Sequence, residues 1–109
     1  KKKKNKNVTT KNGSTALMLA AKNNHLQTAR LLIETGIDIN KKNHHGDTAL
    51  LIASRQGYLN LVKLLLEKGA NPNIRNKNKE NARKLATINK HKAVLNFLDK
   101  AAPTNKWLE

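Results

Sequence analysis

Internal repetition is the strongest constraint on this chain. The stretch GSTALMLAAKNNHLQTARLLIETGIDINKKN from Gly13 returns as GDTALLIASRQGYLNLVKLLLEKGANPNIRN from Gly46, without a gap and 33 residues on. Gly, Thr-Ala-Leu, Ala, Leu, Leu-Leu, Glu, Gly and Asn recur in register, and a third, more divergent copy, KENARKLATINKHKAVLNFLDKA, follows from Lys79. A unit of this length is one supersecondary element that cannot bury its apolar face alone, so the copies must stack on one another.

Each recurring feature has a local reason. Thr15 and Thr48 are placed to cap a helix, their hydroxyls accepting from backbone N–H groups that would otherwise be unpaired. The short helix that follows carries Leu17, Leu19 and Ala20 in one copy and Leu50, Ile52 and Ala53 in the next. Its small alanines leave room for a second helix to approach. Gly57 falls where that first helix must end in a left-handed turn, and Asn24 takes the matching place. Leu26, Ala29, Leu31 and Leu32, then Leu59, Val62, Leu64 and Leu65, give the second helices apolar faces at helical spacing. Gly36 and Gly69 end them. The polar stretches IDINKKNHHG and ANPNIRNKNK are long enough for an extended, hairpin-like finger. The spacing predicts first helices near 15–21, 48–54 and 81–87, and second helices near 25–34, 58–67 and 91–100.

The 33-residue period, the pattern G-x-T-A-L-x-x-A, the Leu-rich second helix and the closing G-A-x-P-N resemble the ankyrin repeat over about residues 5–102. The family usually has Thr-Pro-Leu-His where this chain has TALM and TALL. The resemblance implies an all-α solenoid of stacked helix-turn-helix units joined by hairpin-like finger loops. Residues 13–45 form a first repeat and 46–78 a second. In the third copy Arg83, Lys92 and Asp99 replace apolar residues, while Leu85, Ala86, Val94, Leu95, Phe97 and Leu98 remain. That is the composition of a C-terminal capping repeat at 79–102, apolar toward its neighbour and wet on the far side. Pro103 then blocks helix extension, which leaves 103–109 as a tail. Residues 1–12 read as a basic N-terminal segment and the tail of an upstream repeat, because Asn5–Asn7 align with Asp38–Asn40. Opening on Lys1 rather than Met, the chain reads as part of a longer one.

Composition narrows the function. Hydrophobic residues make up 38% and aromatics 3%, so packing must be aliphatic, which suits stacked helices. Without cysteine there is no disulfide or thiolate metal site, and an intracellular setting, cytoplasm or nucleus, is expected. Twenty-two basic residues against seven acidic give a net charge of +15, a field that draws anionic partners. The excess of Lys and Asn also fits A/T-rich codons, and proteins of this family from intracellular bacteria are often delivered into host cells as effectors.

Family members bind protein partners on a concave face made by the fingers and first helices. The resemblance carries that role to Lys11, Asn12, Ser14, Lys22 and Asn23 in the first repeat. It assigns Lys42, His44, His45, Asp47, Arg55 and Gln56 in the second, and Arg75, Lys77, Asn78 and Glu80 in the third. Basic residues dominate, so the expected partner is another protein with an acidic surface, bound by a monomer. The same module could instead target an attached enzyme, or bind nucleic acid or anionic membrane without specificity. Specific nucleic-acid recognition is not expected: Tyr58, Phe97 and Trp107 are the only aromatics, none lies at a predicted contact position, and Arg is scarce. The basic run Lys1–Lys4 with Lys6 reads as a solvated tail. His44 and His45 are adjacent on an extended segment and point to opposite sides, so no metal is expected. Ser14 and Ser54 belong to no nucleophile motif, no glycine-rich phosphate loop is present, and no cofactor or catalysis is expected.

Overall fold

The computed structural model describes residues 9–101. Six helices run in three antiparallel pairs: α1 (Ala16–Lys22) with α2 (Leu26–Glu34), α3 (Ala49–Gln56) with α4 (Leu59–Glu67), and α5 (Ala82–Ile88) with α6 (Lys92–Ala101). There is no strand among the described residues. Thr15 and Thr48 stand just outside their helices as caps, accepting from the N–H groups of Met18 and Leu51, each at 3.2 Å. Each of the six helices accordingly starts one residue later than the spacing alone suggests. Asn81 fills the third cap, accepting from Lys84 N–H at 2.9 Å. The turns into the second helices pass through Asn24, Gly57 and Lys90 with φ of 57°, 80° and 59°.

The core is aliphatic and continuous. Ala20, Ala21, Ala53 and Ala86 are all buried, which lets the paired helices close up, while Leu17, Met18, Leu50, Leu51, Leu61, Leu65, Val94 and Leu98 fill the space between pairs. First helices pack side by side, α1 on α3 and α3 on α5, far more closely than the second helices do. That difference bends the stack toward the first-helix side. The molecule extends 47 × 25 × 25 Å, elongated as a stack of pairs should be. No described helix is long and apolar enough to cross a membrane.

The third pair carries the substitutions expected of an outer surface. Arg83, Lys92 and Asp99 are exposed, whereas Leu85, Ala86, Val94 and Leu98 are buried. Arg83 and Asp99 also form an ion pair with each other. Pro103 lies outside the described residues.

Candidate functional site

The fingers are built by one device used three times. In the second, the Asn43 main chain closes a turn, its N–H donating to Asp47 C=O and its C=O accepting from Gly46 N–H, each at 2.9 Å. The Asn43 side-chain oxygen accepts from the N–H groups of His45 and Asp47 at 2.9 and 3.0 Å. Asn76 does the same in the third finger, accepting from Asn78 and Glu80, each at 2.9 Å. In the first finger the Thr10 side chain has a shorter reach and, among the described residues, accepts only from Ser14 N–H, at 3.2 Å. Main-chain bonds then staple the tips together: His44 N–H donates to Asn12 C=O at 2.9 Å, and Lys77 N–H to His45 C=O at 3.0 Å. The tip side chains of Lys11, Asn12, His44, His45, Lys77 and Asn78 are all exposed, as are Lys42 and Arg75 on the finger stems.

A second row runs beside the fingers along the C-terminal ends of the first helices. Lys22 and Asn23 end the first, Arg55 and Gln56 the second, and Ile88 and Asn89 the third; Lys22, Asn23, Gln56 and Ile88 are exposed. The side chains of Lys22 and Lys42 make no hydrogen bond or ion pair among the described residues, whereas an Arg75 guanidinium N–H donates to Lys79 C=O at 3.3 Å.

Two of the expected contact residues are not at the surface. Ser14 is 8% exposed and Asp47 5% exposed. Both follow a glycine at which the chain turns inward to reach the buried cap threonine, so their side chains are covered. Asp47 is held by three donors: the Arg55 guanidinium binds it bidentately at 3.0 and 3.2 Å, and the Asn76 side-chain amide donates at 2.9 Å. The other hydrogen of that amide goes to Glu80 Oε1 at 2.8 Å. Arg55 is therefore an ion-paired residue with a side chain 35% exposed, not a free cation.

Asn76, which ties the second finger to the third, is a residue that the sequence analysis does not single out. The recurrence of Asn43 and Asn76 in register, four residues ahead of an acid, was the available signal. Lys79 was missed as well, since it adopts φ 65° where the other fingers have Gly13 and Gly46. Tyr58 stands just before α4 with no side-chain capping bond, and Phe97 lies on α6, a second helix, with the Lys63 Nζ 5.5 Å from its ring centre. Trp107 and the Lys1–Lys4 run lie outside the described residues. No three His, Cys, Asp or Glu side chains converge among the described residues.

A family model described as ankyrin repeats, in three copies, matches residues 2–76. The match stops at Asn76, short of α5 and α6. A search of curated proteins finds no match.

Proposed function

Because the chain belongs to the ankyrin repeat family, we propose that it is a non-catalytic module that takes an acidic partner protein on the face formed by its fingers and first-helix ends. Ankyrin repeats are generally protein–protein interaction modules. One observation carries the finer reading: on this face the acids turn inward and the cations outward. Asp47 is buried and neutralised by Arg55, and Glu80 is half-buried against Asn76. Lys11, Lys22, Lys42, Arg75, Lys77 and Lys79 remain exposed. Such a surface steers an acidic partner and fixes its register, acting mainly on the rate of encounter. In this reading residues 13–45 and 46–78 are full repeats and 79–102 their cap.

Charge reversal tests the reading. Lys22→Glu with Lys42→Glu should slow association with an acidic partner and flatten its salt dependence. Lys68→Glu with Lys92→Glu makes the same change in net charge on the second-helix side and should matter much less. Lys63 is unsuited as a control because it packs on Phe97. Equal weakening by both pairs would mean that the +15 chain acts only as a general cationic field, with no shaped face.

A further inference from the structure

We infer that the cleft between the first two inter-helix turns is a separate binding site, which takes an uncharged, extended peptide segment and reads its main chain with carboxamides. The cleft has a volume of about 330 Å³ and is lined by Asn24, Leu26, Gly57, Tyr58, Leu59 and Asn60. That is at the lower end of the size of ligand pockets. None of the six belongs to a finger, so the site does not rest on the acidic-partner reading above.

Its chemistry departs from that of the chain around it. The chain carries 22 basic and 7 acidic residues, yet no Lys, Arg, Asp or Glu occurs from Asn23 to Ala29 or from Gln56 to Val62. The third turn, in contrast, carries Lys90, His91 and Lys92. Leu26, Tyr58 and Leu59 are half-buried and form the floor, while Asn24 and Asn60 are exposed beside it. Neither carboxamide, nor the Tyr58 hydroxyl, has a hydrogen-bond partner among the described residues.

The next junction shows how such a gap is closed. His91 stands in register with Tyr58, and its ring lies against Gly57, where a Cβ would be 2.5 Å from Nδ1. Its Nε2 is 2.8 Å from Arg55 C=O, which ties the ring to the end of α3. At the first junction Asn24 takes the place of Gly57, at φ 57°, and carries a side chain where the glycine has none. Tyr58 makes no bond like that of His91, and the gap stays open.

A carboxamide presents N–H donors and an oxygen acceptor together, the complement of a peptide group. Two of them beside a Leu–Tyr–Leu floor suit an extended strand, whose main-chain groups need partners and whose alternate side chains point the same way. A cationic segment is repelled by the field of the +15 chain, and an acidic one finds its cations elsewhere. A neutral sugar would also meet carboxamides and a ring, but the general role of ankyrin repeats in binding proteins favours the peptide.

Amide chemical-shift mapping with the uncharged peptide acetyl-Ser-Leu-Ser-Leu-Ser-amide tests this, because asparagine side-chain amides are seen directly. Shifts should gather at the side chains of Asn24 and Asn60 and at the main chain of Leu26, Gly57 and Leu59, with the fingers still. The affinity should not change with salt. Asn24→Gly combined with Asn60→Ala should weaken binding by about tenfold. Gly at 24 is the residue that the second turn already uses, so the variant keeps its fold. The same peptide N-methylated at both leucines should bind at least as poorly. Shifts spread over the finger lysines, binding indifferent to the double substitution or to N-methylation, or no shift at all would overturn the proposal. So would stronger shifts of the same residues by methyl glucoside, which would make the cleft a carbohydrate site.

Discussion

Ser54 places a hydroxyl, fully buried, in the middle of the α1–α3–α5 layer, and its Oγ has no hydrogen-bond partner among the described residues. The matching position in the first pair is Ala21, also fully buried, so the site accepts a methyl group without rearrangement. Ser54→Ala should therefore raise stability by about 1 kcal/mol, read as a higher urea midpoint at unchanged slope; a lower midpoint would show that the hydroxyl is paired. The left-handed residues give a second contrast. A Cβ on Gly46, at φ 81°, would lie 2.8 Å from the Lys77 backbone nitrogen, because the next finger stacks on it. Lys79 holds the matching conformation, and no finger stacks over it among the described residues, so a side chain fits there. Gly46→Ala should cost about 1–2 kcal/mol or more, whereas Lys79→Gly should gain up to about 1 kcal/mol. Comparable losses from both in thermal melts would contradict this account. Such details explain what the sequence reveals and hides at this scale. Thr15, Thr48, Asn24 and Gly57 are legible because their side chains, or the lack of one, suit the local backbone. Lys79 and Lys90 are not, because lysine disfavours the conformation that the stack imposes on it.

At the scale of elements, the second and third fingers are tied together by more than main chain. Asn76 spends its oxygen on its own finger and its two amide hydrogens on Asp47 of the previous finger and Glu80 of its own. Removing that side chain leaves the buried Asp47 carboxylate with Arg55 alone and two finger N–H groups unpaired. Asn76→Ala should cost about 1–3 kcal/mol. Thr10 has no amide to offer, so Thr10→Ala should cost less, and a thermal melt of each variant checks the order. A double-mutant cycle between Arg55 and Asn76 should show coupling through Asp47, since both serve the same carboxylate. Here the sequence is only partly legible. Register placed Lys11, Lys22, Lys42 and Arg75 at the surface, where the structure has them. It cannot show that Asp47 turns inward, because a carboxylate on paper looks exposed until a guanidinium eight residues later and an amide 29 residues later converge on it.

At the scale of the whole molecule, stability should be distributed as in a one-dimensional stack, each pair resting on its neighbours. Leu50 and Leu65 belong to the middle pair and are 1% and 0% exposed. Truncating either to Ala should cost about 2–5 kcal/mol. Arg83→Ala, at the far surface, removes an ion pair between two exposed side chains and should cost less than about 1 kcal/mol. Equal losses in denaturant melts would show that α5 and α6 do not close the stack. The same architecture puts every finger on one side and every second helix on the other, which makes the functional claim a claim about one face. Amide chemical-shift mapping on the isotope-labelled chain, titrated with a polyglutamate peptide at moderate salt, tests it most directly. The account predicts shifts concentrated at the finger tips around Lys11, Lys42, His45 and Lys77 and at Lys22, with Lys68, Lys92 and Lys100 nearly still. Shifts of equal size on the second-helix lysines would contradict it.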